Sequence, residues 1–216
     1  MRLNRYLAQA TGLSRRAADQ AIQAGQVAIN GRPAVLGDTV APDDHVVLSG
    51  NPVEPPARTR LIMLNKPPGY VSSRQGQGSR TVYDLLPAEY HSLKPVGRLD
   101  KDSSGLILLT DDGNLANKLT HPSFAKEKIY EVELDKSLTP DDRAKIIGGI
   151  LLEDGLSKLN LKPSGEIWQV TMTEGRNRQI RRTFAAAGYT VVKLHRTRFG
   201  DYKLDDTRPG QFKLLY

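Results

Sequence analysis

Gly97-Arg98-Leu99-Asp100-Lys101-Asp102-Ser103-Ser104-Gly105 runs directly into Leu106-Ile107-Leu108-Leu109, a polar loop with two carboxylates between glycines that abuts a buried strand. Outward from it, Leu61-Ile62-Met63-Leu64, stopped by Pro67-Pro68-Gly69, reads as another buried strand, and Ile129–Leu134, Ile167–Met172 and Tyr189–Leu194 read as further ones. Helical patterns fit residues 113–120, 140–148 and 177–187. Strands and helices mix without a regular βαβ alternation, which predicts an α+β domain, a mixed and largely antiparallel sheet with helices against it, rather than a doubly wound nucleotide-binding fold.

The first fifty residues form a different pattern. Leu3, Tyr6, Leu7 and Ala10 mark one helical face that Gly12 ends, and Ser14 is placed to cap a second helix from Arg15 to Gly25. Val27-Ala28-Ile29, the turn pair Asn30-Gly31, Pro33-Ala34-Val35 and Val46-Val47-Leu48 follow as short strands. Residues 50–58 hold three prolines without periodicity and read as a stiff linker. The expected organisation is therefore a small domain over 1–49, a linker over 50–58 and a larger domain over 59–216.

Of 216 residues 38% are apolar and 25% charged, a globular composition with no apolar run long enough to span a bilayer. The start of the sequence lacks an apolar export segment, and cysteine is absent, which fits the cytoplasm and removes thiol chemistry and cysteine metal sites. A net charge of +7 makes a polyanionic partner reasonable. Residues 1–32 carry Arg2, Arg5, Arg15, Arg16 and Arg32 against the single acid Asp19, which suits either a solvated helical face or a phosphate-contacting surface. Phosphate-binding, dinucleotide, zinc-protease and serine-nucleophile motifs are missing, and the histidines at 45, 91, 121 and 195 are scattered, so neither a cofactor nor a metal is expected.

Three further places hold candidate chemistry. Asp100 and Asp102 are either ordinary turn residues beside glycine or a catalytic loop held by a rigid strand; Asp111 or Asp112 reads as the cap of the next helix. From Glu174 to Arg198 seven basic residues, among them Arg176, Arg178, Arg181, Arg182 and Arg196, meet one acid, a concentrated positive patch. At helical spacing Ile180, Phe184 and Ala187 share a face, Arg178 and Arg182 lie opposite, and Arg181 on the flank is able to turn inward. Tyr130 shares its strand face with Val132 and Leu134, the setting of a core tyrosine or of an aromatic platform.

The segments Arg2-Leu3-Asn4-Arg5-Tyr6-Leu7, Ser14-Arg15-Arg16-Ala17-Ala18 and Gly25-Gln26-Val27-Ala28-Ile29-Asn30-Gly31 resemble the RNA-binding domain first described in small-subunit ribosomal protein four, whose alpha-L motif meets RNA with two helices. Leu64-Asn65-Lys66-Pro67 with Gly69 and Val71, Gly97-Arg98-Leu99-Asp100 with Ser104-Gly105-Leu106, Lys128-Ile129-Tyr130, and Glu174-Gly175-Arg176-Asn177-Arg178-Gln179-Ile180-Arg181-Arg182 together resemble the RsuA-type family of bacterial ribosomal RNA pseudouridine synthases over nearly the whole chain. The resemblance implies isomerisation of uridine to pseudouridine by a cytoplasmic, cofactor-free monomer acting on ribosomal RNA, naked or in assembling particles. It places the catalytic aspartate on Asp100, acting as nucleophile or proton acceptor, the tyrosine that stacks on the extruded base on Tyr130, and the basic partner that keeps Asp100 charged on Arg181. Arg98, Arg176, Arg178 and Arg182 would then hold phosphates, with Arg98 alternatively supporting the loop. Many members have His at position 178 and Met at 183; the arginine found here resembles members acting on large-subunit RNA, and the basic tail of some relatives is missing after Tyr216. Two other readings stand beside it: a non-catalytic structured-RNA-binding protein, and a metal-dependent RNA hydrolase built on Asp100, Asp102, Asp111 and Asp112.

Overall fold

The computed structural model describes residues 1–55 and 59–216. It opens with α1 (Leu3–Thr11) and α2 (Arg15–Gln23), then β1 (Val27–Ile29), β2 (Arg32–Pro33), β3 (Val46–Leu48) and β4 (Asn51–Pro52). Gly12 ends α1 in the left-handed conformation, and the Ser14 hydroxyl caps α2 by accepting from the Ala17 N–H at 3.0 Å. Leu3, Tyr6, Leu7, Ala18, Ile22, Val27, Ile29 and Val46 close a small core between the helices and a four-stranded sheet ordered β2-β1-β3-β4.

That sheet extends further than the sequence pattern suggests. Ser49 and Gly50 both have positive φ, 50° and 82°, so they form a two-residue hairpin turn that returns Asn51–Pro52 onto β3. Proline is tolerated there because the strand is an edge. Val53 packs on the same small core, so the first part of the proline-rich stretch expected as linker is built into the N-terminal unit. Residues 56–58 of that stretch lie outside the described residues.

The larger unit contains β5 (Leu61–Lys66), β6 (Lys94–Val96), β7 (Ser104–Thr110), α3 (Gly113–Thr120), β8 (Lys128–Leu134), α4 (Pro140–Gly148), β9 (Ile150–Leu152), β10 (Gly155–Ser157), β11 (Asn160–Ser164), β12 (Ile167–Met172), α5 (Gln179–Ala186), β13 (Val191–Phe199), β14 (Tyr202–Lys203) and β15 (Phe212–Leu214). Its main sheet runs β11-β12-β8-β13-β7-β5-β15, with β14 added to β13 and β6 to β7. Within the main sheet, among the described residues, β13 with β7 is the one parallel strand pair, which matches the mixed, largely antiparallel expectation.

β5 and β7 are apolar throughout because both of their faces are covered. Ile62, Leu64, Ile107 and Leu109 enter the large core with Ile180 and Phe184 of α5, whereas Leu61, Met63, Leu106 and Leu108 meet Leu119 of α3 and Phe199 on the other side. One edge of β7 is taken by β5 and the other is shared: β6 pairs with its end and β13 with its start. β6 must therefore leave the sheet at Val96, and residues 97–103 loop out before the chain re-enters as β7. This divergence positions the site.

Candidate active site

Residues 97–103 are fixed from the segment that follows β5. The Ser72 hydroxyl donates to Leu99 O at 2.9 Å and accepts from Leu99 N at 3.1 Å, and the Gly69 N–H donates to Lys101 O at 2.7 Å. Lys66, fully buried, donates from Nζ to Ser103 O at 2.6 Å and to Pro67 O at 2.9 Å. Burial pulls the Lys66 ammonium down to about 8, against the opposing pull of Asp102 and Asp100. The loop thus gains a rigid base, and Asp100 projects from it with a quarter of its side chain, 25%, open to solvent.

Asp100 opens into a cleft of ≈ 690 Å³ over β8 and β13, whose wall includes Arg98, Tyr130, Arg178, Leu194, Arg196 and Phe199. Tyr130 is 7% exposed and lies in the large core with Val132, the setting of a core tyrosine, and it also lines the cleft. The strand period explains this, because Tyr130 stands directly opposite Arg196 on β13 and Val170 on β12 on one sheet face.

The arginines are arranged differently from the expectation. Arg181 does turn inward, donating from Nη1 to Val191 O at 2.7 Å and from Nη2 to Asp102 O at 3.2 Å, but its Nε lies 3.3 Å from the Asp102 carboxylate. The guanidinium nearest Asp100 is that of Arg178, 3.7 Å away, which grips Asp102 with two bonds of 2.9 Å. The hydrogen bond from Arg178, and then the charge of Arg181, hold the Asp102 carboxyl below its usual range. Arg178 reaches this position as the left-handed cap of α5 (φ 46°), which is why the helix begins at Gln179 rather than 177.

Arg176 and Arg182 also have partners inside the chain. Arg176 Nη1 pairs with Asp154 at 2.8 Å and Arg182 Nη2 pairs with the other Asp154 oxygen at 2.6 Å, while Arg176 also bonds the Gly155 and Leu156 carbonyls. The two arginines brace the β9–β10 hairpin against α5. Four of the seven cations of the positive patch are therefore ion-paired to Asp102 and Asp154, acids far away in sequence, and Arg196 is buried at 2% exposure rather than displayed. Arg98 is exposed at the cleft mouth, and Arg2, Arg15 and Arg16 are exposed and join no ion pair among the described residues; Arg5 is half-buried and likewise unpaired among them.

Of the other carboxylates, Asp112 caps α3 by accepting from Asn114 and Leu115, and Asp111 is held by Arg60 at 3.1 Å. Among the described residues no group of three or more His, Asp or Glu is gathered as a metal site, and no helix is long and apolar enough to cross a membrane. Sequence reasoning named Lys66 only within a motif and Arg196 only as one cation of the positive patch, giving neither a place in the site, and it did not single out Ser72 or Asp102 as the arginines' anchor. For Lys66 and Arg196 a signal existed: each is a cation set within an otherwise strand-like stretch.

Comparison with known proteins agrees with this layout. Residues 60–186 match the family model described as RNA pseudouridylate synthase, and residues 1–46 match the S4 domain. These matches define an RNA-modifying enzyme carrying an RNA-binding domain in front. Ribosomal small subunit pseudouridine synthase A of Yersinia pestis is 38% identical over 100% of this chain and 94% of its own length. Ribosomal large subunit pseudouridine synthase B of Vibrio cholerae is 38% identical over 96% of this chain and 69% of its own, and the dual-specificity RNA pseudouridine synthase RluF of Escherichia coli is 37% identical over 100% and 75%. A crystal structure of a pseudouridylate synthase superposes with a TM-score of 0.72 at 33% identity, covering 100% of this chain and 96% of the other. The chain belongs to the RNA pseudouridylate synthase family, whose members are isomerases.

Proposed function

We propose that the substrate is a uridine of ribosomal RNA, more specifically large-subunit RNA, and that Asp100 is the reacting carboxylate. The observation that carries this is the placement of Asp100 on a loop braced by Lys66, Ser72 and Gly69, opening into the same cleft as the packed ring of Tyr130. Tyr130 stacks on the extruded uracil, an interaction worth on the order of 1–3 kcal/mol. Arg181 acts as a positioning residue: through Asp102 it orients Arg178, whose guanidinium faces Asp100. Phosphates are held by Arg2, Arg5, Arg15, Arg16 and Arg98, cations that join no ion pair among the described residues; Arg178 reaches RNA only by exchanging Asp102 for a phosphate, and Arg176 and Arg182 serve the hairpin.

The assignment to large-subunit RNA rests on arginine at 178, since relatives named for the small subunit, for the large subunit and for dual specificity stand at 38, 38 and 37% identity. The reading includes a cytoplasmic monomer organised as an RNA-binding unit and a catalytic unit joined near residues 54–58, acting on naked RNA or on assembling particles. The test is to incubate the protein with unmodified large-subunit RNA, small-subunit RNA and assembling particles, then locate pseudouridine by carbodiimide adducts that stop reverse transcription. A new stop in large-subunit RNA is expected. A stop confined to small-subunit RNA would overturn the subunit assignment, and none in any substrate would overturn the activity.

A further inference from the structure

Arg196 is a buried cation without a counter-ion among the described residues. It is 2% exposed, it donates from Nε to Leu106 O at 2.7 Å, and its Nη2 is buried with no hydrogen-bond partner. Among the described residues it joins no ion pair: Asp100 and Asp102 face Arg178 and Arg181, and Glu174 pairs with Arg176. Its guanidinium carbon lies 4.9 Å from the Phe199 ring and 6.0 Å from that of Tyr130, interactions that offset only part of the cost of desolvating an unpaired ion. The position is enforced by the backbone, because Arg196 pairs with both Tyr130 and Gly105, and a Cβ at Gly105 would lie 2.2 Å from Arg196 O.

A fixed charge in the cleft wall, beside the ring on which the base rests, suits a negative charge that exists only during reaction. Isomerisation of uridine creates one. When the bond from N1 to C1′ breaks, its electron pair leaves with the base, and the uracil anion spreads charge over N1, O2 and O4. The base turns, C5 supplies the pair for the new bond to C1′, the C5 proton is lost and N1 takes one up, so the sum is neutral and without redox change. We propose that Arg196 stabilises the detached uracil anion by donating from its unpartnered Nη groups to a carbonyl oxygen of the base. A phosphate is the poorer occupant, since it would have to descend to a buried nitrogen while the exposed Arg98 waits at the mouth. The proposal rests on uridine isomerisation in this cleft.

Arg196→Gln and Arg196→Lys are compared with wild type in single turnover on ribosomal RNA tritiated at uracil C5, with RNA affinity and melting temperature measured alongside. The Gln variant is expected to lose about 10²–10³-fold in rate, as on removing a donor to a developing anion, and the Lys variant about tenfold or less, both with unchanged RNA affinity. A Gln variant within about threefold of wild type, equal losses in the two variants, or a loss confined to RNA affinity would overturn the proposal. Should the Gln variant melt below the assay temperature, the pH profile of Arg196→Lys decides. The charged and titratable groups that share the cleft with it are Lys128 and Tyr130 on β8 and Arg98, Asp100, Glu174, Arg176 and Arg178 on the loops. Only a charged ammonium can act, so its rate falls at alkaline pH where wild type holds; parallel profiles overturn the proposal. An inactive wild type would instead remove the isomerase reading beneath it.

Discussion

Lys66 carries its charge where water cannot reach it, and the chain accepts that cost to tie down the loop that bears Asp100. Its proton is held less tightly in the folded protein, at about 8, than in the unfolded chain, where the ordinary value is 10.5. Between those values the unfolded chain binds more protons, so this group adds stability as pH rises from about 8 towards 10.5. Denaturant unfolding of wild type and Lys66→Met across that range should show the gap between them changing with pH in wild type's favour; a constant gap would mean that Lys66 titrates normally. At this scale the sequence showed Asp100 in a polar loop against a buried strand and Tyr130 on an alternating strand, but not the bracing of that loop by Lys66 and Ser72, which lie about thirty residues away. It was not legible for the arginines. Their partners Asp102 and Asp154 come from other elements, so helical spacing could turn Arg181 inward but could not say that it would meet Asp102 and leave Arg178 beside Asp100.

The parallel pairing of β13 with β7 decides where the cleft opens, and it depends on a single residue. Gly105 has φ +105°, and an added Cβ would stand 2.2 Å from Arg196 O and 2.5 Å from Arg196 N, both backbone atoms that cannot swing aside. Gly105→Ala should therefore cost about 3 kcal/mol or more, a fall in melting temperature of roughly 6–12 °C for a chain of this size. Scanning calorimetry checks it, and a variant melting with wild type would show that the two strands separate without cost. Strands β5, β7, β8 and β12 were legible as apolar or alternating runs. β11 was not, because Asn160-Leu161-Lys162-Pro163-Ser164 buries only Leu161 and offers no pattern to read, and β4 was hidden by a proline that its edge position tolerates. β13 runs on to Phe199 through two register shifts, which break the alternation expected of a strand ending at Leu194.

At the scale of the whole molecule the two arginine-rich stretches differ in their partners. The arginines of α5 and its cap are engaged by Asp102 and Asp154, whereas Arg2, Arg5, Arg15 and Arg16 of the first unit join no ion pair among the described residues. Net charge alone could not show this division, which appears only when distant acids are folded against α5. Replacing Arg2, Arg15 and Arg16 together by alanine should lower the salt slope of RNA binding by about 0.7–0.9 for each phosphate left without its arginine, while turnover at saturating RNA is kept. An unchanged slope would locate the RNA-binding surface elsewhere. If Asp100 is the one carboxylate that isomerises uridine in this cleft, as proposed, release of tritium from uracil C5 of ribosomal RNA separates wild type from Asp100→Asn. Wild type should release it to a fixed stoichiometry and the variant should be slower by at least about 10²–10⁴-fold with RNA affinity intact. Equal release by both proteins would contradict the account.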